Sequence, residues 1–112
     1  MPLSQARRAL TATEVVTRLA QLESWRLDGD GTAVVIQKTF RFADFAQTMA
    51  FVNAVAWLTQ VRDHHPELIV RFDNCTLRYN THDVAGLSQA DFDAAAAVDA
   101  LPGAAAAATP LA

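Results

Sequence analysis

The sequence predicts an α+β fold, a four-stranded antiparallel sheet with three helices packed on one face, in the order α-β-β-α-β-β-α. Three observations carry that prediction. Two capping boxes, Thr11-Ala-Thr-Glu14 and Ser88-Gln-Ala-Asp91, mark helix starts near the two ends of the chain. A long segment without Gly or Pro, from Phe42 to Arg62, lies between them. On either side of that segment, paired β-rich runs are separated by turn residues.

In chain order, residues 1–10 read as a loose arm. Val15, Leu19 and Leu22 recur at helical spacing behind the first capping box and give a short helix to about Glu23. Trp25 to Leu27 reads as a short strand. Asp28-Gly-Asp-Gly31 supplies residues that tolerate positive φ, and the run from Ala33 to Phe40 is the second strand of that hairpin.

The long helix from Phe42 to Arg62 has two apolar stripes. Phe42, Phe45, Met49, Val52 and Ala56 form one, and Ala46, Ala50, Ala54, Trp57 and Val61 the other. Asp44, Thr48, Thr59 and Arg62 hold the polar side. So wide an apolar surface is more than one sheet normally covers, which leaves two readings. Either the core is thick and alanine-filled, or one stripe packs on the sheet and the other on a second subunit.

Pro66 ends this helix, because the residue before a proline is pushed out of helical geometry. Leu68 to Phe72 and Cys75 to Asn80 are short β runs around Asp73-Asn74, which suit a type I′ turn. Thr81-His-Asp-Val-Ala-Gly86 is a loop, and the second capping box starts a third helix that runs to about Leu101. Residues 11–102 thus form a single domain, and 103–112 a low-complexity tail expected to fray.

Composition narrows the class. A chain of 112 residues with 52% apolar and 19% charged side chains is a folded globular domain, small enough to gain from an oligomer interface. A net charge of −3 gives no nucleic-acid footprint. No apolar run reaches membrane-spanning length, and no apolar block follows Arg7 and Arg8 as a secretory signal would require. The lone cysteine, Cys75, has no internal disulfide partner. The expectation is a soluble cytoplasmic protein.

All three histidines lie in the second half, at 64, 65 and 82. With Asp73 and Asn74 as the turn, paired positions sum to 147 and His82 lies opposite position 65. Strands rise about 3.3 Å per residue and lie about 4.8 Å apart, so the three imidazoles should gather at the open end of the hairpin. Imidazoles exchange protons near neutral pH, and two in opposite protonation states serve as acid and base in one step. The rival reading is a metal site of three His plus water. It ranks lower because adjacent His64 and His65 rarely aim at one ion. Asp63 and Asp83 could orient the rings by accepting their second N–H.

These residues resemble a known family. Asp63-His-His-Pro-Glu67, the aromatic Phe72 and Thr81-His-Asp-Val-Ala-Gly-Leu-Ser88 are similar to the signature of the pterin-4a-carbinolamine dehydratases, in type and in spacing. The resemblance runs from about Thr11 to Leu101. It implies dehydration of a 4a-hydroxytetrahydropterin to the quinonoid dihydropterin in tetrahydrobiopterin recycling, with no metal or organic cofactor. His64 and His82 match the family's catalytic positions, and His65 matches one that holds substrate. Asp63, Thr81 and Asp83 fall in substrate-contacting segments. Gln60 departs from the charged residue usual one helical turn before His64. Asp91 matches the last signature residue, but its capping box accounts for it without a catalytic role. The resemblance also implies a homodimer or homotetramer built through the 42–62 helix. A non-enzymatic assembly or dimerisation factor on the same fold is the alternative, and such relatives are expected to lose the histidines kept here.

Overall fold

The computed structural model describes residues 8–104. Residues 1–7 of the expected arm at 1–10, and 105–112 of the expected tail at 103–112, lie outside the described residues. The elements run α1 (Ala12–Leu19), β1 (Arg26–Asp28), β2 (Val35–Arg41), α2 (Phe45–Arg62), β3 (Glu67–Arg71), β4 (Asn74–Tyr79) and α3 (Gln89–Asp99). The strands form one antiparallel sheet in the order β1-β2-β4-β3. Fold class and element order are those the sequence predicts. Both capping boxes form, at Thr11 and at Ser88.

Strand alternation sorts the sheet into two faces. Ile36, Lys38 and Phe40 of β2 and Cys75, Leu77 and Tyr79 of β4 are buried on the helix side. Gln37, Thr39, Thr76 and Arg78 lie between them on the other side and are half-buried. Phe51 of α2 packs on Phe40 with ring centroids 4.6 Å apart, and Phe92, Ala95 and Val98 of α3 complete the core. Fully burying a large apolar side chain of this kind contributes about 1.5–3 kcal/mol. Lys38 is the exception on the core face. Its Nζ bonds Asp99 Oδ1 at 2.8 Å, Asp99 Oδ2 accepts from Trp25 Nε1 at 3.0 Å, and the cation lies over the Phe40 ring. The charge is paired, as a buried ammonium must be.

Three local expectations need correction. The β3–β4 turn is Phe72-Asp73, because Arg71 pairs with Asn74 and Glu67 with Arg78, so paired positions sum to 145. Neither turn residue has positive φ, so the turn is not type I′. The slip of two keeps every side chain on its expected face, since the strand repeat is two.

On α2 the row buried against the sheet is Thr48, Phe51 and Val55, which is neither of the two stripes. Thr48, placed on the polar side by its chemistry, is fully buried. Its hydroxyl makes hydrogen bonds to the carbonyls of Asp44 and Phe72, both at 3.0 Å. A helix that is apolar almost all round gives periodicity nothing to select, and docking on the β3–β4 turn decides the facing. The helix also stops before Pro66 can act. Asp63 caps it in the left-handed conformation, with φ of 54°, and the chain leaves extended through the histidine pair.

Candidate functional site

Adjacent histidines enter opposite environments. Once Asp63 turns the chain off α2, His64 points inward and is 7% exposed, whereas His65 is exposed. The His64 ring stacks on Tyr79 with centroids 5.7 Å apart and planes within 8° of parallel. Its Nε2 lies 2.6 Å from Oδ1 of Asp91, which is fully buried. An ionised carboxylate can only accept, so Nε2 carries the proton of that bond and Nδ1 is left as the open nitrogen.

Asp91 is itself held. Its Oδ2 accepts from the Thr81 hydroxyl at 2.7 Å and from the Ser88 amide at 2.9 Å, and the Thr81 and Ser88 hydroxyls bond each other at 2.7 Å. The cap reading of Asp91 is therefore half of its role, since one oxygen closes the capping box and the other fixes His64. The signal in the sequence was its place at the end of the resemblance, which the sufficiency of the cap concealed. Thr81, expected at the substrate, is fully buried with its hydroxyl committed to Asp91 and Ser88. It supports the site from behind. The neighbouring Tyr79 hydroxyl is pushed well above the ordinary phenol range, by burial first and by the Asp91 charge second.

On the open side, His65 and His82 line one cleft of about 290 Å³, at the small end of ligand sites. The short 3₁₀ turn His82–Val84 presents His82, and an isolated bridge between Thr81 and Gly86 closes that loop. Glu67, Arg78 and Asn80 supply the polar floor, and the segment 32–35 one wall. Asn80 Nδ2 donates to the carbonyl of Val34 at 2.6 Å and so pins that wall to the end of β4. Asp63 and Asp83 are both exposed on the segments that carry the histidines, and Gln60 is exposed on the last turn of α2. The carboxylate that meets Nε2 of His64 is that of Asp91.

His65 and His82 line the cleft, and the buried His64 is not among its lining residues. Among the described residues no group of three or more His, Cys, Asp or Glu is arranged to hold a metal ion. A second cleft of about 570 Å³, between the start of α2 and residues 102–103, contains no histidine and is lined mainly by Phe42, Phe51, Ala50 and Ala54.

Comparison with known proteins adds to this geometry. The family model described as pterin 4 alpha carbinolamine dehydratase matches residues 8–101. A protein of Paracidovorax citrulli, named provisionally as a pterin-4-alpha-carbinolamine dehydratase, is 56% identical over 98 residues, covering 88% of this chain and 84% of its own. One from Stenotrophomonas maltophilia with the same provisional name is 43% identical over 109 residues, covering 90% of this chain and 92% of its own. The crystal structure of a transcriptional coactivator/pterin dehydratase from Brucella melitensis superposes with a TM-score of 0.77 at 26% identity, covering 83% of this chain and 97% of that one. A pterin dehydratase-like protein identified as a RuBisCO assembly factor in the α-carboxysome superposes with a TM-score of 0.62 at 30% identity, covering 73% and 93%.

Proposed function

The chain belongs to the pterin 4 alpha carbinolamine dehydratase family, and on that footing we propose that it removes water from a 4a-hydroxytetrahydropterin by histidine acid/base catalysis, in tetrahydrobiopterin recycling. The observation that carries the proposal is the division of the histidines. Two imidazoles line one small cleft, and the third, on the residue next to His65, is held by a buried carboxylate.

The reaction needs one proton delivered to the leaving 4a-hydroxyl and one taken from N5. The C4a–O bond breaks as the C4a=N5 bond forms, giving water and the quinonoid dihydropterin. His82 reaches this chemistry from the cleft wall. His64 takes part through Nδ1, its ring orientation set by Asp91 and Tyr79, and His65 holds the ligand. Asp63 and Asp83, on the segments flanking the cleft, are proposed as further substrate contacts. No metal or organic cofactor enters these steps.

The test is the rate at which 4a-hydroxytetrahydrobiopterin disappears. Replacing His64 or His82 by Ala should each slow turnover by about 10²–10⁴-fold, the usual worth of a positioned acid or base. Wild-type protein that does no better than spontaneous dehydration would overturn the proposal.

The outer face of α2 supports an assembly of identical chains, a dimer or tetramer. Trp57 is 72% exposed and Val61, one turn on, 65%. Large apolar side chains left open along one helix mark an association surface. A Trp57→Glu change should shift the mass measured by light scattering toward monomer, and an unchanged mass would remove α2 from the interface. That face also favours the alternative of a non-enzymatic assembly factor. Partner capture indifferent to loss of all three histidines, with no dehydration by the wild type, would select it.

A further inference from the structure

Arg78 and Glu67 play no part in the proton transfers, yet they form the floor of the cleft. They face each other across β3 and β4, with Gln37 of β2 next in the same cross-strand row. Arg78 is tied to three strands at once. Its Nε donates to Glu67 Oε1 at 2.9 Å, and its Nη1 donates to Asp28 Oδ2 at 2.8 Å and to Gln37 Oε1. The guanidinium in turn holds the Asp28 carboxyl below the ordinary carboxylate range.

This bonding uses Nε–H and both hydrogens of Nη1. Among the described residues nothing accepts from Nη2 and nothing donates to Glu67 Oε2. One ion pair thus leaves a donor edge and an acceptor oxygen open in the cleft that also holds His65 and His82. Such an arrangement is preorganised for a ligand edge with an acceptor beside a donor.

We infer that Glu67 and Arg78 are specificity-determining residues that read the 2-amino-4-oxo edge of the pterin ring. Arg78 Nη2 donates to the 4-oxo group, and Glu67 Oε2 accepts from N3–H and the 2-amino group. C4a is bonded to the carbon that carries the 4-oxo group, so gripping this edge also sets the reacting carbon relative to His65 and His82. The inference rests on the dehydratase reading and deepens it.

Binding of two non-reacting ligands tests it. By fluorescence titration, 6-methylpterin is compared with 6-methyllumazine, which carries an oxo group in place of the 2-amino group. Wild-type protein should prefer the pterin by about tenfold or more, as loss of a charge-assisted hydrogen bond requires. In Glu67→Gln the preference should fall below about threefold, with KM for the reacting substrate raised. Arg78→Lys, which keeps a cation for Asp28 and Glu67 and so preserves the fold, should weaken both ligands by a similar factor.

A Glu67→Gln protein that melts like wild type and keeps the wild-type preference overturns the inference while leaving the dehydratase reading intact. Arg78→Lys binding both ligands as wild type removes Arg78 from the pair. Wild-type protein that binds neither ligand overturns the dehydratase reading itself.

Discussion

His64 and His65 are neighbours in the chain and belong to different worlds. Around His64 every polar partner is buried and committed, in a relay from the imidazole through Asp91 to Thr81 and Ser88. Around His65 and His82 the groups are exposed, the wall is pinned by one asparagine, and donors and acceptors are left for a ligand. The difference separates a group that must be held from groups that must be reached. Burial provides the first, because an unpaired polar group there is costly and the pairing is therefore rigid. Exposure on a short, tethered loop provides the second.

The contrast breaks most sharply at Asp91. Asp91→Ala strips His64, the Thr81 hydroxyl and the Ser88 amide of their acceptor in one step, and removes the N-cap partner of α3. Loss of one member of a buried charged network costs on the order of 3–5 kcal/mol, and urea denaturation should show a loss of that size together with failing turnover. A loss below about 1 kcal/mol would mean that the relay does not hold the site.

A smaller effect comes from an exposed pair far from the cleft. The Arg8 guanidinium and the Thr11 amide hold the Glu14 carboxyl down at about 2, from an ordinary 4.5. A depressed carboxyl contributes stability that is present above its unfolded value and lost as pH falls through the folded one. Wild-type stability should therefore decline between about pH 4.5 and 2 more steeply than that of Glu14→Gln. Parallel curves would show that water already screens this pair.

The smallest effect sharpens the comparison from the other side. His65→Ala and His82→Ala should alter unfolding free energy by no more than about 0.5 kcal/mol, as surface changes do, while ligand handling suffers.

Much of this was legible before any coordinates. The capping boxes, the antiparallel sheet and the element order follow from local chemistry, because Thr11, Ser88 and the glycine turn at Gly29 and Gly31 act on their immediate neighbours. The nearness of His82 to His65 was legible because a hairpin converts sequence separation into proximity, and the two-residue slip of the turn did not spoil it; the burial of His64 was not. What stayed hidden were choices made by tertiary contact. Thr48 is polar by type, but its hydroxyl is satisfied by the β3–β4 turn and can be buried. Asp91 had a sufficient local explanation, so its partner 27 residues earlier left no trace in the pattern. The Arg78 cluster joins residues from three other strands, which no window along the chain brings together.

Asp91 is at once the third residue of α3 and the partner of His64. The His64 ring is therefore oriented only while α3 is docked. Local openings of a single helix are common fluctuations, well below the cost of global unfolding. Each one here would release His64 from its carboxylate. The fraction of molecules with His64 held in place thus measures how tightly α3 is closed. Agents that loosen α3, such as mild denaturant or heat short of melting, should extinguish turnover before they disturb the sheet.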